Sequence, residues 1–87
     1  MRVQQLPDGR LDHELGKVTQ PRTPPIPVIV WLHVDGAEHE ALLHGWAANP
    51  NGADDGWRGL CVGVREYAAG YWTEFCMWVP AGKVREA

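Results

Sequence analysis

The sequence predicts an all-β protein, a small five-stranded antiparallel barrel behind a flexible N-terminal arm. Three observations lead there. From Val28 onward apolar residues recur with a period of two rather than 3.6. Turn signals punctuate that stretch: Asp35-Gly36, the polar run 49–56 and Ala68-Ala69-Gly70. Seven prolines and ten glycines among 87 residues leave no long run for a helix.

Residues 1–26 form the expected arm. They hold four basic and three acidic side chains and only scattered large apolar residues. Leu11, Leu15 and Val18 fit one helix face, whereas Leu11, His13 and Leu15 fit a strand, and so short a pattern does not choose. Pro21-Arg22-Thr23-Pro24-Pro25-Ile26-Pro27 reads as a stiff, polyproline-prone connector. Its two P-x-x-P spacings also allow a ligand for a proline-binding groove.

Residues 27–87 form the expected barrel domain. Val28–Val34 is rich in β-branched and aromatic residues, and Asp35-Gly36 signals a two-residue hairpin turn. Further strands are expected over 38–48, 57–67 and 71–79, then a single 3₁₀ turn at 80–83 and a last short strand at 84–86. Five short strands in so few residues imply closure, which removes exposed edges.

Alternation sorts the side chains onto two faces. A two-residue turn at Asp35-Gly36 pairs Val34 with Ala37, Val30 with Ala41 and Val28 with Leu43. The core face then holds Val28, Val30, Leu32, Val34, Ala41 and Leu43, joined by Leu60, Val62 and Val64 and by Phe75 and Met77. Matching those cores pairs Leu60 with Met77 and Val62 with Phe75, which sets Cys61 opposite Cys76. The other face collects all five tryptophans with Ile29, Leu42, His44, Cys61 and Cys76, and Glu38, Glu40, Arg65 and Glu74 share it.

The tail Trp78-Val79-Pro80-Ala81-Gly82-Lys83-Val84-Arg85 resembles the strand, 3₁₀ turn and final strand that close SH3-like and Tudor-like barrels. The long loop at 49–56 and the tight turn near Ala69-Gly70 sit where that layout expects them. The likeness covers residues 27–87, but the ALYDY-type start and paired tryptophans of eukaryotic SH3 domains are absent. The resemblance implies binding of peptides, modified side chains or nucleic acids without catalysis. Tryptophan, glycine, alanine and arginine usage also resembles that of small proteins of actinobacteria and their phages.

Three explanations compete for the tryptophan face. Strand bends and the arm cover the rings; or the face is a protein–protein or self-association surface; or the rings stack bases or cage a cation. Charge discriminates between the last two. Lys+Arg number 8 against Asp+Glu 11, a net charge of -3, and residues 27–87 alone carry -4. Nucleic acid is therefore possible as a partner but disfavoured by charge, and acidic residues beside rings suit an Arg- or Lys-bearing peptide better.

Other chemistry finds little support in the sequence. No run approaches the roughly 18–20 apolar residues of a membrane span, so no membrane association is expected. The first residues lack a signal-peptide core and no lipidation motif is present, which leads us to expect a cytoplasmic protein with reduced thiols. Cys61 and Cys76 are too few for a disulfide framework, although as cross-strand neighbours they could pair, or bind zinc with His33 or His44. The simpler reading makes both cysteines small packing residues. His44 and Cys61 lack an orienting group and an oxyanion hole for nucleophilic catalysis. No catalytic residue, metal or cofactor is expected, and the chain reads as a non-catalytic protein-binding module. The expected contact residues are Trp31, Trp46, Trp57 and Trp72 with Arg65, and Tyr67 and Tyr71 at the rim. A nucleic-acid-associated regulator from a mobile element or phage, and a small structural or assembly subunit, are the alternatives.

Overall fold

The computed structural model describes residues 2–4, 9–52 and 54–87, the first three by their backbone alone. Residues 1 and 5–8 of the expected arm, and Ala53 of the 49–56 loop, lie outside the described residues. The chain runs as β1 (Arg2–Gln4), α1 (Arg10–Leu15), β2 (Gln20–Leu32), β3 (Ala37–Ala48), β4 (Trp57–Ala68), β5 (Tyr71–Pro80), a 3₁₀ turn (Ala81–Lys83) and β6 (Val84–Glu86). Most of it is strand, as the period of two requires. No helix among the described residues is long and apolar enough to cross a membrane.

The strands form one sheet in the order β1-β5-β4-β3-β2-β6. Five of them are antiparallel to their neighbours, and β1 adds parallel to the start of β5 through Val3 and Trp72. The two end strands do not pair with each other, so the sheet is not closed. It curls nevertheless: β2 and β5 stand three strands apart, yet Val28, Val30 and Leu32 share one buried cluster with Phe75 and Val79. Ala41, Leu43 and Cys61 complete that cluster.

Three sequence expectations are corrected. The turn after Leu32 is four residues long, not two. Leu32 pairs with Ala37, Gly36 N donates to Leu32 O at 2.8 Å, and Gly36 takes the positive φ of 64° that such a turn needs. Asp35 reinforces the turn by accepting from Ala37 N at 3.1 Å. The slip is by two in the pairing sum, so β2 and β3 keep their expected faces as far as Leu43, but Val34 leaves the core and is 55% exposed.

The second correction concerns the β4–β5 register. Cys61 pairs with Met77 and Val62 with Cys76, one residue away from the expected match. A one-residue slip exchanges faces. The core side of β4 is therefore Gly59, Cys61 and Gly63, while Leu60, Val62 and Val64 point the other way. The physical reason lies in the neighbours. A Cβ on Gly63 would stand 2.7 Å from the Phe75 ring, and one on Gly59 would stand 3.1 Å from the Trp46 ring. Two large rings fill the core opposite β4, which leaves room only for small residues. The cysteines consequently lie on opposite faces, and both thiols are free and buried.

The third correction concerns the connector at 21–27, which is the first half of β2. Gln20 and Pro21 pair with Trp46 and Gly45, the ladder breaks between Pro21 and Ile26, and pairing resumes at Ile26 with Leu43. Prolines cannot donate to a ladder. They are tolerated here because β6 covers β2 only at Val28–Val30, which leaves the proline stretch on an outer edge.

Candidate binding surfaces

The N-terminal segment folds back as α1, and this determines which surfaces remain open. α1 is the helical alternative for Leu11 and Leu15, and Gly9 precedes it at φ 82°. It crosses the face of the sheet opposite the core. Arg10 Nη2 donates to Cys76 O at 3.4 Å, and Trp78 Nε1 donates to Glu14 Oε2 at 2.7 Å. That indole hydrogen bond, aided by Lys17 at 3.3 Å, holds the Glu14 carboxyl below its ordinary range. Beyond the helix Thr19 N donates to Trp46 O, and Val18 lies against the backbone of Gly45, where a Cβ would collide with it. Leu60 and Cys76 are buried on this face, and burial raises the Cys76 thiol. On the core side burial pushes the Cys61 thiol up to about 12. His44, in the bulge between Leu43 and Gly45, is lowered by burial.

The expected contact residues do not share one surface. Trp46 is turned onto the core side by the bulge at His44 and packs against the central cluster. Trp57 is 50% exposed and borders a shallow depression with Trp46, Arg22 and Ala81. Trp72 is half-buried, between Glu66 on β4 and Val3 on β1. Tyr67 and Tyr71 are exposed and pair with each other at 6.2 Å between ring centres, near the β4–β5 turn. Arg65 is held by the Asp35 carboxylate at 3.5 Å, which also accepts from His39 Nε2 at 2.8 Å. Trp31 stands apart from all of them. Lys83 Nζ lies 4.7 Å over its ring.

Two surfaces stand out among the described residues. The first is the half of the outer face that α1 does not cover. Its register rows are Pro27–Leu42–Val62 and Ile29–Glu40, with Val64 paired to Glu74, and it ends at the buried Cys76 beside α1. Leu42 is 45% and Val64 41% exposed, so an apolar stripe crosses β3 and β4 in open solvent. Glu40 and Glu74 flank it and form no ion pair among the described residues. Arg85 beside Ile29 is already bonded to Glu38 at 3.0 Å. Alternation had already turned Ile29 and Leu42 outward, but the stripe was missed because Val62 and Val64 look like core residues until the β4–β5 register is known.

The second is a groove of about 480 Å³ between the β2 end, the β5 end and the 3₁₀ turn, walled by Trp31, Met77, Trp78 and Pro80. Arg58 and Lys83 border it, and among the described residues no carboxylate does. Among the described residues no group of three or more His, Cys, Asp or Glu side chains is placed to hold a metal ion. No protein-family model, curated protein or solved structure matches the chain.

Proposed function

We propose that the protein is a non-catalytic protein-binding module of SH3-like barrel type, and that its main contact surface is the open half of the outer face. The barrel type is supported by the order β6-β2-β3-β4-β5 and by the 3₁₀ turn before the last strand. The observation that carries the function is the stripe of Ile29, Leu42, Val62 and Val64 between Glu40 and Glu74, which form no ion pair among the described residues. A sheet face that leaves Leu42 45% and Val64 41% exposed, with Ile29 and Val62 half-buried beside them, loses free energy to water until something covers it. Glu40 and Glu74 select a partner with Lys or Arg beside apolar side chains. The same charges disfavour nucleic acid, which needs cations at its phosphates. They also disfavour a second copy packed face to face, since glutamates would then meet glutamates.

Selection from a displayed library of random peptides tests this reading. The wild-type protein should enrich peptides that combine Lys or Arg with apolar residues. The double variant Leu42→Ser, Val64→Ser should bind them at least about tenfold more weakly, the loss of about 1.4 kcal/mol expected from two half-buried apolar contacts. Equal binding by the double variant overturns the proposal.

A further inference from the structure

We infer that the groove beside Trp31 is a separate binding site, of opposite sign to the outer face, which takes an extended peptide segment bearing an acidic side chain next to an apolar one. The protein as a whole is acidic, yet among the described residues the Lys, Arg, Asp and Glu side chains bordering this groove are Arg58 and Lys83. Their states differ. Arg58 is fixed in place: its Nε lies 2.8 Å from an Asp55 carboxylate oxygen, and Nη1 donates to Trp78 O at 3.4 Å. Lys83 is exposed, forms no ion pair among the described residues and rests over the Trp31 ring. A cation held on an aromatic face at the rim of an apolar trough is placed to meet a carboxylate.

The shape indicates the occupant. Small-molecule sites enclose most of their ligand. This groove lies between two chain segments, 31–34 and 77–80, and Lys83 at its border is exposed. An extended peptide can lay alternate side chains on Trp31 and Met77 while its other edge stays hydrated. The site arises because the sheet does not close: the chain crosses from β5 to β6 through the 3₁₀ turn and leaves the ends of β2 and β5 apart. It shares no residue with the Leu42–Val64 stripe, so either site can fail without the other.

The same peptide library provides the test. Wild-type protein should enrich a second class of peptides, with Asp or Glu beside an aromatic or aliphatic residue. Lys83→Glu should weaken that class at least about tenfold and favour counterparts in which the acid is replaced by Lys. Trp31→Ala should lose both, and Leu42→Ser with Val64→Ser should lose neither. The Lys83→Glu result stands even if Trp31→Ala folds poorly, because Lys83 is a solvent-exposed side chain. Three results overturn the inference: no acid-bearing class, an acid-bearing class indifferent to Lys83→Glu, or light scattering that shows a dimer dissolved by Lys83→Glu. The last would assign the groove to a second copy of this chain.

Discussion

At the scale of single residues, Trp78 shows how the N-terminal segment is attached. Its indole N–H reaches a carboxylate on α1, 64 residues away in the chain. Trp78→Phe should therefore destabilise the fold by about 1–2 kcal/mol, the range of a hydrogen bond to a charged acceptor. The sign of its pH dependence follows from Glu14, whose carboxyl is lowered in the folded state. Stabilisation by Glu14 is present above the ordinary carboxylate range and is lost as the pH falls through the folded value. Denaturation near neutral pH should reveal the deficit of the variant, and denaturation near pH 3 should show it narrowed. Cys61 carries a second prediction. With its thiol raised from 9.0 to about 12, it should resist alkylation in the native state at pH 8. A raised value contributes stability that is complete below pH 9 and disappears as the pH climbs toward 12. Cys61→Ala should flatten the alkaline part of the stability curve.

At the scale of elements, most strand positions were legible in the sequence, whereas β1, the start of β2 and two registers were not. Alternation and turn residues located the strands now seen as β3, β4, β5 and β6 within a residue or two, because those signals are local. The β4–β5 register was not legible, because the rule that larger apolar residues face the core fails on β4. There the core face is Gly59, Cys61 and Gly63, and its volume is supplied by Phe75 and Trp46 from β5 and β3. The length of the first turn was similarly hidden, because Asp-Gly fits two-residue and four-residue turns alike. Gly63→Ala tests the corrected register. The added Cβ would stand 2.7 Å from both Glu40 O and the Phe75 ring, and backbone cannot move aside cheaply. A loss of about 2 kcal/mol or more is expected in chemical denaturation, against well under 1 kcal/mol if Gly63 faced solvent.

At the scale of the whole molecule, charge and apolar surface are divided between two faces. The sequence revealed the acidic balance of residues 27–87 and the surplus of tryptophan, but it joined them into one surface. The structure separates them: Trp46 fills the core, Trp78 anchors α1, Trp72 lies beside β1 and Trp31 walls a groove that carries positive charge. The open acidic face instead presents Ile29, Leu42, Val62 and Val64. Alternation placed Ile29, Leu42, Glu40 and Glu74 together, but neither surface could be read in full from local pattern. One depends on which half of the sheet α1 covers, and the other on a sheet that stops short of closing.

The central claim is that the uncovered outer half-face is where a basic partner docks. Amide chemical-shift mapping during titration with a library-selected Lys- or Arg-bearing peptide tests it most directly. The account predicts perturbations centred on Glu40–Leu42 and Val62–Val64, weakened by added salt and abolished in Leu42→Ser, Val64→Ser. Perturbations centred on Trp31 and Lys83, or on Tyr67 and Tyr71, would contradict it.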